Sequence, residues 1–158
     1  MFSVLRALKE REYVMILVSA CLCGVHCRYD GKAKPDEESM ALMREGKAIP
    51  VCPEQLGGLP VPRPPAEIME GDGEAVLNGS AWVRDRMGQD VTEAFIAGAE
   101  ETLHIARLSG VHRAILKANS PSCGAGVIYD GTFSGSTREG DGVTAALLKM
   151  NGIEVEAR

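Results

Sequence analysis

The sequence lacks the features of several common protein classes. Aromatic residues make up only 4% of its 158 residues, so no row of stacking side chains for single-stranded nucleic acid is expected. Its 17 Lys and Arg against 22 Asp and Glu give a formal net charge of −5, which is unlike the basic surface that binds nucleic acid or an anionic membrane. No apolar run is long enough to span a bilayer. We therefore expect neither nucleic acid nor a membrane among its partners.

The cysteines do not form a disulfide framework. They number five and include no C-x-x-C pair, whereas small secreted domains usually carry an even count. They lie in loop motifs of a chain that is rich in glycine and proline, with 18 Gly and 8 Pro. This usage favours a reducing compartment, the cytoplasm, and a metal-binding or catalytic role for the thiols.

The N-terminal segment is interpreted as an extension, residues 1–14, before a single α/β domain over residues 15–158. Basic residues, a short apolar run and the sequence V-S-A-C also resemble a lipoprotein signal peptide with Cys21 as the lipidated residue. Glu10 and Glu12 interrupt its basic part, and the run is short. The run is rich in leucine and β-branched residues, which is typical of a buried strand.

Apolar runs alternate with segments of helical periodicity along the rest of the chain. Buried strands are predicted over 15–20, 48–52 and 113–118, and a terminal strand over 153–155. Helices are predicted over 36–46, 91–109 and 141–150. This alternation predicts one three-layer α/β domain with a mainly parallel, Rossmann-like sheet.

Three shorter segments complete the prediction. Residues 74–85 are predicted to form a hairpin around Asn78-Gly79, and residues 128–133 a short strand or ribbon. The Pro-rich segment 52–67 is predicted to be a stiff loop without helix.

Three cysteines stand at the ends of predicted strands. Cys21 follows the first strand, Cys52 ends the second, and Cys123 follows the strand over 113–118. Because ligands of open α/β sheets bind beyond the carboxyl ends of the strands, the three thiols are expected to line one site. Crowded thiolates need a cation to offset their repulsion, so this site is a candidate metal site.

Other readings of these residues stay open at this point. The trio could be inert thiols, or a closed zinc site with Cys27 or His26 as the fourth ligand. Cys23 and Cys27 are best explained as small buried residues. His104 and His112 are expected to be peripheral.

Charged residues of these loops could bind substrate or form structural ion pairs. Arg28 and Lys117 are candidates for orienting an anionic or carbonyl-bearing substrate, or they could pair with a loop carboxylate such as Asp30. Arg63 could pair with Glu67 across the Pro-rich loop.

Several segments, in this order, resemble a small bacterial family that includes the 2-thiouracil desulfurases. They run from Met15 to about Val155 and read VSACLCG…CRYDG, VCPEQLGGLPVPRPPAE, DVTEAFIAGAE, LKANSPSCG and YDGTFSG…GDGVTAALLKMNGIEV. The resemblance implies a [4Fe–4S] cluster held only by Cys21, Cys52 and Cys123. Cys23 departs from the pattern, because many members carry leucine there.

The resemblance also implies a reaction. The family removes sulfur from a thiolated pyrimidine without net redox change, the sulfur being taken up by the open iron. It places the catalytic acid and serine on Glu54 and Ser120, and we add Arg28, Lys117 and Ser122 as substrate-binding candidates.

The expected activity is conversion of a small thio-base such as 2-thiouracil to uracil and hydrosulfide. Two alternatives are a protein with a structural zinc or thiol site and no desulfurase activity, and a related desulfurase for another thio-compound. Monomer and dimer are both compatible with the sequence.

Overall fold

The computed structural model describes residues 14–158, and a parallel sheet is the centre of the fold. The strands are β1 (Ile16–Ser19), β2 (Ala48–Val51), β3 (Ala66–Met69), β4 (Trp82–Asp85), β5 (Arg113–Leu116), β6 (Val127–Tyr129), β7 (Thr137–Glu139) and β8 (Glu154–Ala157). The helices are α1 (Glu37–Arg44), α2 (Pro53–Leu56), α3 (Gly73–Leu77), α4 (Thr92–Leu108) and α5 (Val143–Met150). The central sheet has the order β2-β1-β5-β8 with every pair parallel, which confirms the predicted mainly parallel sheet.

Helices cover both faces of this sheet. Successive residues of a strand point to opposite faces, and Leu17 packs with Leu103 of α4 and Leu148 of α5. Val18, its neighbour in β1, packs on the other face in a cluster that Leu42 of α1 joins. The predicted three-layer α/β architecture is therefore confirmed.

The direction in which the chain crosses the sheet reverses beside β1. From β1 the chain goes through α1 to β2, on one side, whereas β5 leads through α5 to β8 on the other side. Because such crossovers are right-handed, opposite directions place α1 and α5 on opposite faces. The adjacent ends of β1 and β5 therefore open into a crevice, the usual ligand position in these sheets.

Two small ribbons flank the sheet. Strands β3 and β4 pair antiparallel, and so do β6 and β7. The strand or ribbon predicted over 128–133 is confirmed only at 128–129, because residues 130–133 belong to the loop between β6 and β7. A separate apolar cluster lies among β3, β4, α3, α4 and α5, with Phe95 and Ile128 fully buried in it.

The hairpin predicted over 74–85 is wrong. Residues 73–77 form helix α3, whose first turn is capped by Asp72, a carboxylate that accepts a hydrogen bond from the Ala75 N–H at 3.0 Å. Asn78 ends this helix, and Gly79 follows it in a left-handed conformation. Asn-Gly is favoured both at helix ends and in tight hairpins, and the Asp72 cap decides between them here.

The prediction that the Pro-rich segment contains no helix is also wrong. Residues 53–56 form one helical turn that begins with Pro53. Proline is tolerated there because the first N–H groups of a helix have no partner within it. This turn follows Cys52 directly and carries Glu54, so it positions two candidate site residues.

The helices predicted over 36–46, 91–109 and 141–150 are confirmed with shorter bounds. Within residues 14–158, no helix has the length and apolarity needed to cross a bilayer.

The proposed extension, residues 1–14, lies outside the described residues except for Val14. Its separation from a domain over residues 15–158 stays a prediction.

A pair of glycines brings α2 against α4. A Cβ atom built on Gly98 would lie 1.9 Å from the Pro53 carbonyl oxygen, and one built on Gly57 would lie 1.9 Å from the Ala94 carbonyl oxygen. Neither backbone can yield without moving its helix. The close approach of α2 to α4 therefore requires both glycines.

We expect Gly98→Ala to lower the free energy of unfolding by about 1–3 kcal/mol, the usual cost of overpacking. Helix propensity alone predicts the opposite, a gain of about 1 kcal/mol, so the sign tests the packing. Chemical denaturation measures it, with Glu100→Ala on the exposed side of α4 as the control. An unchanged or higher midpoint for Gly98→Ala would contradict the close approach.

Candidate active site

A cavity of about 340 Å³ lies beyond the carboxyl ends of β1, β2 and β5. Its volume falls in the usual range for small-molecule sites, roughly 300–1,000 Å³. Four of the five cysteines line it: Cys21, Cys27, Cys52 and Cys123. The remaining one, Cys23, does not line it, and its sulfur lies 3.9 Å from the Ser39 carbonyl oxygen. The structure thus brings the three predicted cysteines together and adds a fourth.

Local structure positions each thiol of the predicted trio. Cys21 lies in a short 3₁₀ turn, Ala20–Cys23, directly after β1, and this turn ends at Gly24 in a left-handed conformation. Cys52 is the residue before helix α2. Cys123 lies in a turn where its N–H donates to the Ser120 hydroxyl oxygen at 3.0 Å. The positions of all three thiols are therefore set by the turns and loops that follow central strands.

Cys27 lies between two members of the trio. It is 3% exposed, and its carbonyl oxygen accepts a hydrogen bond from the Cys52 thiol, whose sulfur lies 3.7 Å away. The interpretation of Cys27 as an ordinary small apolar residue therefore misses its position. Its place in the CRYDG segment beside Cys21 was the only sequence signal for it.

The four thiols do not share one acidity. Hydrogen bonding with Cys27 lowers the pKa of Cys21 despite burial and the neighbouring Cys123 and Cys52 thiols. The same interaction raises the pKa of Cys27 to about 11. Hydrogen bonding with Cys27 followed by burial raises the pKa of Cys52, and burial raises that of Cys123 to about 12. Several thiolates together therefore need a compensating cation.

The donor set fits an iron–sulfur cluster. Soft thiolates from separate loops are the usual ligands of such clusters, and all five cysteines are free of disulfides. Within residues 14–158, no group of three His, Cys, Asp or Glu side chains is arranged to hold one metal ion. His26 is exposed and outside the cavity lining. The described residues therefore contain no ready-made closed zinc site.

A buried ion pair forms part of the cavity wall. Arg63 Nε donates to Glu54 Oε2 at 2.6 Å, and their side chains are 6% and 16% exposed. Arg63 also donates from its Nη1 to the Pro60 carbonyl at 3.2 Å and from its backbone N–H to the Tyr29 carbonyl at 2.9 Å. Arg63 thus pairs with Glu54 and not with Glu67.

Ser120 lines the cavity, and its hydroxyl oxygen is already an acceptor twice. It accepts the N–H groups of Ser122 at 3.1 Å and Cys123 at 3.0 Å. A hydroxyl has two acceptor sites and one hydrogen. Because both acceptor sites are used, the Ser120 hydroxyl can interact with a ligand only as a hydrogen-bond donor.

Ser122 is not brought into the cavity. It is 1% exposed, and its hydroxyl shares a 2.9 Å hydrogen bond with Thr144 of α5. The position of Ser122 therefore does not support its predicted substrate-binding role. In the sequence Ser120-Pro121-Ser122 the two serines look equivalent. Only the structure shows that Ser120 lines the cavity and Ser122 does not.

Lys117 and Arg28 both line the cavity. Lys117 donates its N–H to the Ser19 hydroxyl at 2.9 Å and its ammonium to the Ala118 carbonyl at 3.1 Å; burial lowers its pKa. Arg28 lies over the Tyr29 ring, 5.7 Å from its centroid, and 4.0 Å from Asp30. Its charge is therefore only loosely paired.

Sequence reasoning missed another part of the lining. Glu67, Arg86, Tyr129 and Phe133 also line the cavity, and they come from the two ribbons. The YDGTFSG segment was the only signal for the last two. His104 and His112 are exposed and do not line it, as expected.

Comparison with known proteins agrees with this arrangement. The family model of the 2-thiouracil desulfurases matches residues 16–158. An uncharacterised Bacillus subtilis (strain 168) protein, YbbK, is 53% identical over 141 residues, 89% of this chain and 93% of YbbK. A solved structure described as the [4Fe–4S]-dependent thiouracil desulfidase TudS superposes with a TM-score of 0.81 at 44% identity, covering 91% of this chain and 90% of TudS. This chain belongs to the 2-thiouracil desulfurase family.

Proposed function

We propose that this chain is an iron–sulfur-dependent desulfurase that converts a thiolated pyrimidine such as 2-thiouracil to uracil and hydrosulfide. The observation that carries the proposal is the meeting of Cys21, Cys52 and Cys123 in one cavity beside the Glu54–Arg63 pair. Family membership and the likeness to TudS support it.

In this proposal Cys21, Cys52 and Cys123 hold a [4Fe–4S] cluster. They approach the cavity from three different strand ends, whereas Cys27 lies against two of them. When bound, the cluster would supply an iron without a protein ligand, a Lewis acid suited to the soft sulfur of a thiocarbonyl. Cys27 is then a neighbouring thiol that supports Cys21 by hydrogen bonding.

The chain's own groups handle the water and its protons. The overall change replaces C=S and H₂O by C=O and H₂S, so one water oxygen must be delivered and two protons moved. Glu54 is the carboxylate placed to accept a proton from the attacking water. Ser120 can only donate, so it orients an oxygen or ring-nitrogen acceptor rather than removing a proton.

Two cations complete the proposed site. Lys117 supplies positive charge next to Cys21, and Arg28 supplies positive charge in the same cavity; both favour a departing hydrosulfide. A small thio-base fits a cavity of about 340 Å³. Five free thiols support a cytoplasmic setting, where such thiols stay reduced.

The first experiment is anaerobic reconstitution with iron and sulfide, followed by metal counts and a sulfide-release assay with 2-thiouracil. About four irons per chain, a broad visible absorption and release of uracil are expected. One zinc per chain with no visible absorption and no sulfide release would favour the structural-site alternative instead.

Replacing Cys123 by serine should abolish cluster binding, because it removes one of three ligands. The measurement is iron content and visible absorption after anaerobic reconstitution. Cys23→Ser is the matched control, since Cys23 lies outside the cavity lining, and it should retain the full iron content. Equal iron content in the two variants would contradict the proposed ligand set.

Replacing Glu54 by glutamine should keep the cluster and lower kcat by about 10²–10⁴-fold, the usual contribution of a general base. Glu93→Gln, an exposed acid on α4, is the control. The visible spectrum shows whether the cluster is intact, and sulfide release gives kcat. Full activity of Glu54→Gln would remove the role assigned to this carboxylate.

Replacing Arg63 by glutamine should lower kcat by up to about 100-fold, because a misplaced catalytic group loses much of its effect. Arg63→Lys should recover part of the loss. In a Glu54→Gln background the same change should add little, since the two side chains act as one unit. Multiplied effects in the double variant would show that Arg63 acts independently of Glu54.

A further inference from the structure

A hairpin loop places one aromatic ring in the cavity wall. Residues 130–136 join β6 to β7, and Phe133 of this loop lines the cavity with Tyr129 at its start. The chain has only one Trp, three Tyr and three Phe, and three of these, Tyr29, Tyr129 and Phe133, line this single cavity. Such a concentration points to a ligand with a flat apolar face.

The loop holds its own shape. The Asp130 N–H donates to the Ser136 carbonyl at 3.0 Å and closes its base. Inside it, the Thr132 hydroxyl donates to the Asp130 carboxylate at 2.6 Å, and the Ser134 hydroxyl donates to that of Ser136 at 3.0 Å. The ring is therefore presented by a segment that is already ordered, which reduces the entropy lost on binding.

Glu67 fixes this loop from the other ribbon. Its carboxylate is 8% exposed, and its Oε1 accepts the Gly131 N–H at 2.9 Å and the Phe133 N–H at 3.1 Å. Phe133 has a φ of +55°, uncommon for a residue with a side chain. Two charge-assisted hydrogen bonds hold the backbone in this conformation.

The Arg86 side chain also supports the Phe133 ring. The Arg86 guanidinium lies over the Phe133 ring, 5.8 Å from its centroid, within the range of cation–π attraction. Gly131 lets the loop approach β3, because a Cβ atom there would lie 2.6 Å from the Ile68 carbonyl oxygen. Phe133 is thus held through its backbone N–H by Glu67 and through the π face of its ring by Arg86.

We propose that Phe133 is the surface on which the planar ring of the substrate packs, with Glu67 as its positioning residue. This inference rests on the proposed function and adds to it the residue that binds the pyrimidine ring. The ring of the substrate is bound by Phe133, while Glu54 acts beside the carbon–sulfur bond and the thiols hold the cluster.

The test compares reconstituted wild-type protein with Phe133→Ala and Phe133→Tyr, using 2-thiouracil. Phe133→Ala should raise KM about tenfold or more, as loss of one base–aromatic contact does, and leave kcat within about threefold. Phe133→Tyr keeps the ring and should stay within about threefold of wild type in both constants. The visible spectrum should be the same in all three.

Glu67→Ala should raise KM in the same direction, and in the Phe133→Ala background it should add little. Trp82→Ala, an aromatic residue of β4 outside the cavity lining, is the control and should leave KM unchanged. Thiourea has the same N–C(=S)–N group without a ring, so Phe133→Ala should not weaken its binding. An equal loss for thiourea, or an unchanged KM for 2-thiouracil, overturns the inference.

The failure of the inference and that of the proposed function are distinguishable. If wild type releases sulfide and Phe133→Ala does so with the same KM, only the role of Phe133 fails. If wild type releases none, the proposed function fails, and Phe133 is judged by calorimetric binding of 2-thiouracil. Equal Kd values for wild type and Phe133→Ala then overturn its role, and a weaker Kd for the variant supports it.

Discussion

The side-by-side ends of β1 and β5 are the constraint on which the site depends. Because the chain leaves these strands in opposite directions across the sheet, their ends open into a crevice. The Ser19 hydroxyl accepts the Lys117 N–H at 2.9 Å and ties the two ends together. Cys21 lies in the turn after β1, and Cys123 lies in the loop that follows β5. Their meeting is therefore a consequence of the pairing of β1 with β5.

The parts of the fold with strong local signals were predictable from the sequence. β1 and β5 are apolar runs, and α1 is capped by Asp36, whose carboxylate accepts the Ser39 N–H at 3.1 Å. The two wrong predictions concern short segments with ambiguous signals. Asn78-Gly79 fits a helix end as well as a hairpin, and Pro53 fits the first position of a helix as well as a loop. The Asp72 cap decides the first case, and the close packing of α2 against α4 accompanies the helical turn in the second.

The candidate site also contains residues that could be predicted from the sequence and residues that could not. Cys21, Cys52 and Cys123 were predictable because each stands next to a buried strand whose end is fixed by the sheet. The pairing of Arg63 with Glu54 was not predictable, since residues 57–62 fold back between them without a periodic sequence pattern. Phe133 was hidden as well, because its place in the cavity depends on Glu67 in a different ribbon.

Charge explains how a chain of net charge −5 can build this cavity. Four cationic side chains line it, Arg28, Arg63, Arg86 and Lys117, against two carboxylates, Glu54 and Glu67. Each carboxylate already binds protein groups: Glu54 binds Arg63, and Glu67 accepts two loop N–H groups. Among the remaining cations, Lys117 is close enough to Cys21 to help lower the pKa of its thiol. Thiolate ligands and a departing hydrosulfide are both anionic, so the excess of cations in the lining favours holding the one and forming the other.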